Sequence, residues 1–256
     1  MKVTVCQWDS RPEQLEVQLQ KLILHCAAHG SELLVLPEMP FDDWLAGSQD
    51  LDVARWLASM QLHLDWIERL SRNLKLPLLA SRPVLDELGV RRNRAFCWMP
   101  QEGLMDGHDK LHLPDEEGYW ESRWYQAGSL PLKLYDLGVC RAGVLICSEL
   151  WFFEHARHYG QQQAHLLCLS RATSSVDTEN WIAAGKSAAI VAGAYCLSSN
   201  QSRPAGVLPD MGGAGWVIDP DGSLLALTSA TEPFVTVAID LAYADSAKAT
   251  YPRYLK

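Results

Sequence analysis

The chain has 256 residues, 48% of them hydrophobic and 21% charged, the profile of an ordinary globular protein with enough apolar material for a large core. That composition excludes a disordered segment, a collagen-like repeat and a coiled coil. Thirty-one Asp and Glu against 22 Lys and Arg leave a formal charge of −9, which repels phosphate backbones and anionic bilayers and excludes nucleic acid and membrane as partners.

Val3 to Trp8 enters a strand directly, without the apolar core and small-residue cleavage site of a secretory signal. Ser10-Arg11-Pro12-Glu13 has the spacing of a capping box with proline in the first helical turn. Leu15, Leu19, Leu22, Ile23 and Cys26 keep the spacing of one helix face, and Gly30 is placed to end that helix. Leu33 to Leu36 is an apolar run stopped by Pro37, the pattern of a strand buried on both faces. Val53, Trp56, Leu57, Met60, Leu64 and Ile67 mark a second helix, and strands follow at Leu78 to Ser81 and Ala95 to Met99.

A polar, aromatic-rich connection runs from Gly107 to Gly128, then strands are predicted at Leu132 to Tyr135 and Ala142 to Ile146. A helix starts near Phe153, a strand covers His165 to Leu169, and a helix covers Asn180 to Gly193. Strands at Tyr195 to Ser198, Gly215 to Ile218, Leu224 to Leu227 and Phe234 to Ile239 complete the pattern, with a hairpin turn at Asp219-Pro220-Asp221-Gly222. The alternation predicts one α/β domain over residues 1–256 with mixed sheets and no internal repeat. The longest apolar stretches, Gly143 to Phe153 and Ala188 to Leu197, fall short of the roughly 20 residues a bilayer demands. A cytoplasmic location is expected. Seven cysteines without a CxxC pair do not form a disulfide framework, and most are expected as small core residues.

Several familiar motifs are absent. Ala184-Gly185-Lys186-Ser187 ends like a phosphate-binding loop, but Asn180 stands where the first glycine belongs and the segment has a helical pattern. Gly212-Gly213-Ala214-Gly215 lacks the third glycine of a dinucleotide site. The pairs His25/His29, His155/His158 and His108/His112 gain no third ligand and are read as solvated or core-edge histidines, so no metal and no cofactor are expected. There is no GxSxG elbow.

Three positions remain. Glu38 follows a buried strand, where open α/β sheets place ligands. Cys147 ends the strand-like run from Gly143 before a helix-forming stretch, a place where nearby backbone amides and a cation stabilise a thiolate. The other six cysteines fall inside predicted strands, helices or their edges. Lys110, in Asp109-Lys110-Leu111-His112-Leu113, would supply the positive charge that a thiolate and a developing oxyanion require.

Pro37-Glu38, Lys110-Leu111-His112-Leu113 and Ile146-Cys147 with Trp151-Phe152-Phe153-Glu154 resemble, in order and spacing, the Glu-Lys-Cys signature of the nitrilase superfamily of carbon–nitrogen hydrolases. Glu121 to Gly128 is similar to the segment carrying that family's second glutamate, and Gly213 to Gly222 to its C-terminal strand-turn-strand. The similarity covers nearly the whole chain. It implies a four-layer α-β-β-α sandwich, association as a homodimer or larger oligomer, and a catalytic set of Glu38, Lys110, Cys147 and Glu121. Glu121 would orient Lys110 or the leaving group, and a backbone N–H near Ser148 would share the oxyanion with Lys110.

The implied reaction is hydrolysis of a small linear amide or N-carbamoyl compound through a cysteine thioester. A nitrile is the competing substrate, disfavoured because the Cys-Trp-Glu of nitrilases reads Cys147-Ser148-Glu149 here. The same residues are also compatible with acyl transfer to an amine, and the same fold with a non-catalytic binding or regulatory role. Arg171, at the end of a strand, is placed to recognise a carboxylate by a bidentate fork. Tyr119, with Trp120, Trp124, Phe41 and Trp44, is a candidate aromatic wall for the substrate.

Overall fold

A computed structural model describes residues 1–255. Strand β1 (Lys2–Trp8) is buried almost throughout. Helix α1 (Pro12–His29) turns Leu15, Leu19, Leu22 and Cys26 inward and ends at Gly30, whose φ of 66° is the left-handed conformation of a C-terminal cap. The capping-box expectation is corrected at its other end. Arg11 is the cap residue and makes no side-chain cap bond, because Ser10 is buried and its hydroxyl donates to Gln201 Oε1 at 2.8 Å.

Strand β2 (Leu33–Val35) leads to helix α2 (Val53–Leu74), capped by the Asp52 carboxylate, which accepts from the Arg55 N–H at 2.9 Å. Strands β3 (Leu78–Leu85), β4 (Arg91–Met99) and β5 (Gly103–Asp109) form an antiparallel meander. It is longer than the apolar pattern predicts. Arg82 and Arg94 interrupt that pattern but are held by ion pairs to Asp106 and Asp109, which lets the charged halves remain in the sheet. A short helix α3 (Glu121–Trp124) lies in the connection to β6 (Leu134–Asp136) and β7 (Arg141–Ile146). Then come α4 (Phe153–Gln161), β8 (Leu166–Arg171), α5 (Thr178–Ala192), β9 (Tyr195–Gln201), β10 (Trp216–Ile218), β11 (Leu224–Leu227), β12 (Phe234–Ala238) and α6 (Leu241–Ala247). The predicted hairpin joins β10 and β11, and the Asp219 carboxylate accepts from the N–H groups of Asp221 and Ser223 at 2.9 and 2.8 Å.

The strand order is β5-β4-β3-β2-β1-β9-β8-β7-β6. Strand β1 serves two sheets. Its first part pairs with β2 and β12, whereas Gln7 and Trp8 run parallel to Asn200 and Gln201 of β9. One apolar cluster joins the two sheets, with Val3, Val5, Val35, Leu79 and Cys97 on one side and Val144, Ile146 and Leu169 on the other. Helices α1 and α2 cover the first sheet through Leu15, Leu19, Leu22, Ile67 and Leu70 against Leu34, Leu78 and Phe96. Helix α5 packs on β9 and β10, with α4 beside it. The result is the expected α-β-β-α sandwich. Among the described residues no helix is long and apolar enough to cross a membrane. All seven cysteines are free and buried.

Strand β7 has no room for a side chain at Gly143. A Cβ there would stand 2.6 Å from the ring of Tyr159, which is itself fixed by a hydrogen bond from its hydroxyl to the Val144 carbonyl at 2.9 Å. Gly143→Ala is therefore expected to lower unfolding stability by about 1–3 kcal/mol through overpacking, as read by the midpoint of denaturant unfolding.

Candidate active site

Glu38 is fully buried beyond the end of β2, in a loop held from several directions. Its N–H donates to the Arg171 carbonyl at 3.3 Å, and Gln201 Nε2 donates to the Glu38 and Met39 carbonyls at 2.8 and 3.2 Å. Trp8 Nε1 donates to the Pro40 carbonyl at 2.6 Å. His63 on α2 donates from Nδ1 to the Ser59 carbonyl (2.8 Å) and accepts the Phe41 N–H at Nε2 (3.4 Å), a pattern only the neutral imidazole can make. Arg55 pairs with Asp42 at the end of the loop.

Lys110 follows β5 and is pinned by its main chain. Its N–H donates to the Asn93 carbonyl at 2.7 Å, and the Gly128 N–H donates to its carbonyl at 2.9 Å. A side chain at position 128 would overlap the Asp109 main chain, so glycine allows the long connection to close onto β5. Lys110 Nζ donates to Glu38 Oε1 at 2.8 Å and to both oxygens of Glu121 at 2.6 and 2.8 Å. Asn93 Nδ2 also donates to Glu38 Oε1, at 2.6 Å, while Glu38 Oε2 is buried without a partner.

Cys147 stands where β7 gives way to a turn of 3₁₀ helix from Cys147 to Trp151, with φ at 48°. This is the left-handed region, sparsely occupied by residues other than glycine. The thiol lies 4.0 Å from the Ala172 carbonyl. Two residues on, the buried Glu149 accepts from the Ile146 N–H at 2.7 Å, the Leu111 N–H at 2.9 Å and His108 Nε2 at 2.9 Å. The last two donors belong to the other sheet's side of the site.

The charges follow from this packing. Burial by itself would pull the Lys110 ammonium down, but Glu121 and Glu38 outweigh it and hold the charged form. Burial, and then the neighbouring Glu38, push Glu121 up to about 8 against the pull of Lys110. Burial, reinforced by Glu38 and Glu121, raises the Cys147 thiol well above its ordinary range, with Lys110 opposing. Glu149 moves the other way. Burial opposes its ionisation, yet His108 and the two backbone donors together lower it.

A cavity of about 230 Å³ opens over Cys147, lined by Tyr119, Glu121, Ser148, Trp151, Thr173 and Trp181 among others. Tyr119 also lines an adjoining cleft of about 800 Å³ with Trp44 and Trp124, and its hydroxyl donates to the Asp210 carbonyl at 2.9 Å. Ser148 Oγ donates to the His112 carbonyl at 2.5 Å. Phe41 packs under α2 instead of facing the cavity, and Trp120 lines neither space. Arg171 is fully buried. Its guanidinium donates to Ser198 Oγ (2.8 Å), Thr173 Oγ1 (2.9 Å) and the Ala214 carbonyl (2.5 Å) and lies 4.0 Å over the Trp216 ring, so protein groups occupy the fork envisaged for a carboxylate. Trp181, Asn93 and His108 join the site without a sequence signal that marks them, whereas Trp151 and Glu149 lie in the segment after Cys147 that carries the family resemblance. His108 is a buried partner of a carboxylate, which corrects its reading as solvated or core-edge.

The chain matches the family model described as carbon–nitrogen hydrolase over residues 2–249. It is 24% identical over 245 residues to the chloroplastic omega-amidase of Arabidopsis thaliana, covering 91% of this chain and 65% of that protein. It is 25% identical over 181 residues to citrullinase of Francisella tularensis subsp. tularensis, covering 68% of this chain and 62% of that protein. The chain thus spans slightly less than two thirds of the length of both relatives. Among solved structures, the carbon–nitrogen hydrolase of Helicobacter pylori G27 superposes with a TM-score of 0.87 at 20% identity, over 99% of this chain and 94% of that one.

The Glu38 loop carries an acid-sensitive support. Burial drives His63 down from 6.5 to about 4, with its hydrogen bonds and Asp42 opposing. The unfolded chain takes up a proton as pH falls below the ordinary histidine value, and the folded chain refuses it until much lower. The stability this group contributes is therefore complete above pH 6.5 and is lost as pH falls through about 4. Denaturant unfolding at a series of pH values is expected to show about 3 kcal/mol of acid destabilisation that His63→Gln lacks. Equal slopes in the two proteins would contradict this assignment.

Proposed function

Because the chain belongs to the carbon–nitrogen hydrolase family, we propose that it hydrolyses a small linear amide or N-carbamoyl compound through a thioester on Cys147. The observation that carries the reading is the buried Glu38. One of its oxygens accepts from Lys110 and Asn93, and the other is without a partner. That free oxygen is a ready acceptor for a proton, and the Cys147 thiol, held protonated by its surroundings, has one to give.

In the proposed cycle Glu38 takes the proton from Sγ as the sulfur attacks the carbonyl carbon, and the carbonyl π electrons move to oxygen. Lys110 and the Ser148 N–H stabilise that oxyanion. The oxyanion collapses, the C–N bond breaks, and protonated Glu38 delivers its proton to the departing nitrogen. Ammonia or an amine leaves and a thioester remains. Glu38 then takes a proton from water as the hydroxide adds to the thioester, and the acid leaves as the thiol regains that proton. Glu121 holds Lys110 in place through two contacts and shares its charge. Tyr119 is assigned to the wall of the substrate space, and Arg171 acts behind it by ordering Thr173 and Ser198.

The small cavity suits the head of a linear substrate, with the adjoining cleft for the remainder. An omega-amidase and a citrullinase among the relatives support a terminal amide or a ureido group. We further assign the protein to the cytoplasm and to a homo-oligomer, a dimer or larger, testable by sedimentation. Cys147→Ala and Cys147→Ser are expected to abolish ammonia release from a panel of amides, ureido acids and nitriles while leaving the fold intact. Glu38→Gln is expected to lose at least about 10²-fold in rate through the missing proton acceptor. Mass spectrometry should find an acyl adduct on Cys147 of the wild type during turnover. Full activity in the Cys147 variants would sink the mechanism, and an adduct without released acid would favour acyl transfer.

A further inference from the structure

Glu149 makes contacts that the proposed chemistry does not use. It has no exposed surface, and a buried carboxylate costs several kcal/mol unless its partners are well placed. Oε2 accepts from the Ile146 N–H at 2.7 Å, Oε1 accepts from the Leu111 N–H at 2.9 Å, and His108 Nε2 lies 3.1 and 2.9 Å from the two oxygens. Ile146 immediately precedes Cys147 and Leu111 immediately follows Lys110. One carboxylate therefore grips the main chain next to the sulfur and next to the ammonium. These residues come from β7 and from the end of β5, at the far sides of the strand order.

We propose that Glu149, oriented by His108, is a positioning residue that locks the nucleophile and the lysine into one register across the two sheets. Three observations bear on it. Cys147 is held at a φ of 48°, a conformation that persists only where its surroundings impose it, and the Ile146–Glu149 bond closes the turn around that residue. The Ile146 N–H would otherwise be buried without an acceptor, and the Leu111 N–H is partly buried, so the contact satisfies main-chain groups and sets geometry together. The carboxylate is acceptor-only when ionised, as three converging N–H donors require. Glutamine, its isostere, has one acceptor oxygen and one NH₂ group, so it breaks one of the two arms whichever way it is turned.

The inference rests on the proposed roles of Cys147 and Lys110, and the experiment separates the two. Glu149→Gln, His108→Gln and His108→Ala would be compared with the wild type and with Cys147→Ala for kcat, KM, the pH profile of kcat/KM and the rate of Cys147 alkylation by iodoacetamide, each after the folded fraction is measured by circular dichroism. Glu149→Gln is expected to lose about 10²-fold in kcat, the scale of a small misplacement of reacting groups, with KM nearly unchanged. The pH profile should keep its shape, because Glu149 transfers no proton. His108→Gln, which retains an N–H donor, should recover much of the activity that His108→Ala loses. Folded Glu149→Gln with the wild-type kcat overturns the inference, as does a lost limb in its pH profile. If Glu149→Gln does not fold, the His108 pair decides: rescue by glutamine supports the clamp and equal activities of the two variants overturn it. An active Cys147→Ala would instead overturn the underlying reading of the site.

Discussion

Lys110 holds two carboxylates at once, Glu38 at 2.8 Å and Glu121 at 2.6 Å, in a place without exposed surface. A single ammonium cannot neutralise two ionised acids, and removing all three from water is expensive unless every partner is in place. Burial first, and then the surplus of acid over base, push both Glu121 and the Cys147 thiol up. Under the proposed mechanism the Cys147 thiol in this setting rests neutral and is activated when substrate arrives, with the unpartnered Glu38 oxygen as the acceptor for that step. The proposed resting site thus differs from one in which a cation keeps a permanent thiolate, and the difference comes from burial of the thiol together with the excess of acids over bases around it.

The fold supplies that volume by sharing a strand. Because β1 pairs with β2 at its start and with β9 at its end, the ends of strands from two sheets converge. Glu38 comes from beyond β2, Lys110 from beyond β5, Cys147 from beyond β7 and Arg171 from the end of β8. Gln201, the last residue of β9, holds the Glu38 loop from the opposite sheet, and Glu149 reaches from the β7 side to the Lys110 main chain. Arg171 adds a buried cation whose hydrogen-bond partners are hydroxyls and a carbonyl, stacked on Trp216. Burial lowers it to about 9, the direction expected when a charge lacks an acid beside it.

The central strands are legible in the sequence because burial on both faces leaves a continuous apolar run, and the long helices because burial on one face leaves helical spacing. Glu38 and Cys147 are legible for a related reason, since one follows such a run and the other closes it, whereas Lys110 stands in a polar connection and is legible through the family resemblance. What cannot be read there depends on partners far apart in the chain. The outer halves of β3 and β4 carry arginines whose acids lie on β5, and Ser10 leaves its helix cap for a residue 191 positions away. Asn93 and His108 are ordinary polar residues until topology brings them within hydrogen-bond distance of the site, and the backbone and His108 partners of Glu149 come from the same convergence. Trp181 follows the helical spacing of α5, which hides that it lines the cavity.

The central claim is that burial, reinforced by two acids sharing one lysine, keeps the resting Cys147 protonated. The direct measurement is the ultraviolet thiolate absorbance of the wild type against pH, with Cys147→Ala subtracted. The account predicts that no Cys147 thiolate forms until well above the ordinary thiol range of about 8.5. A thiolate that titrates at or below that range would contradict it.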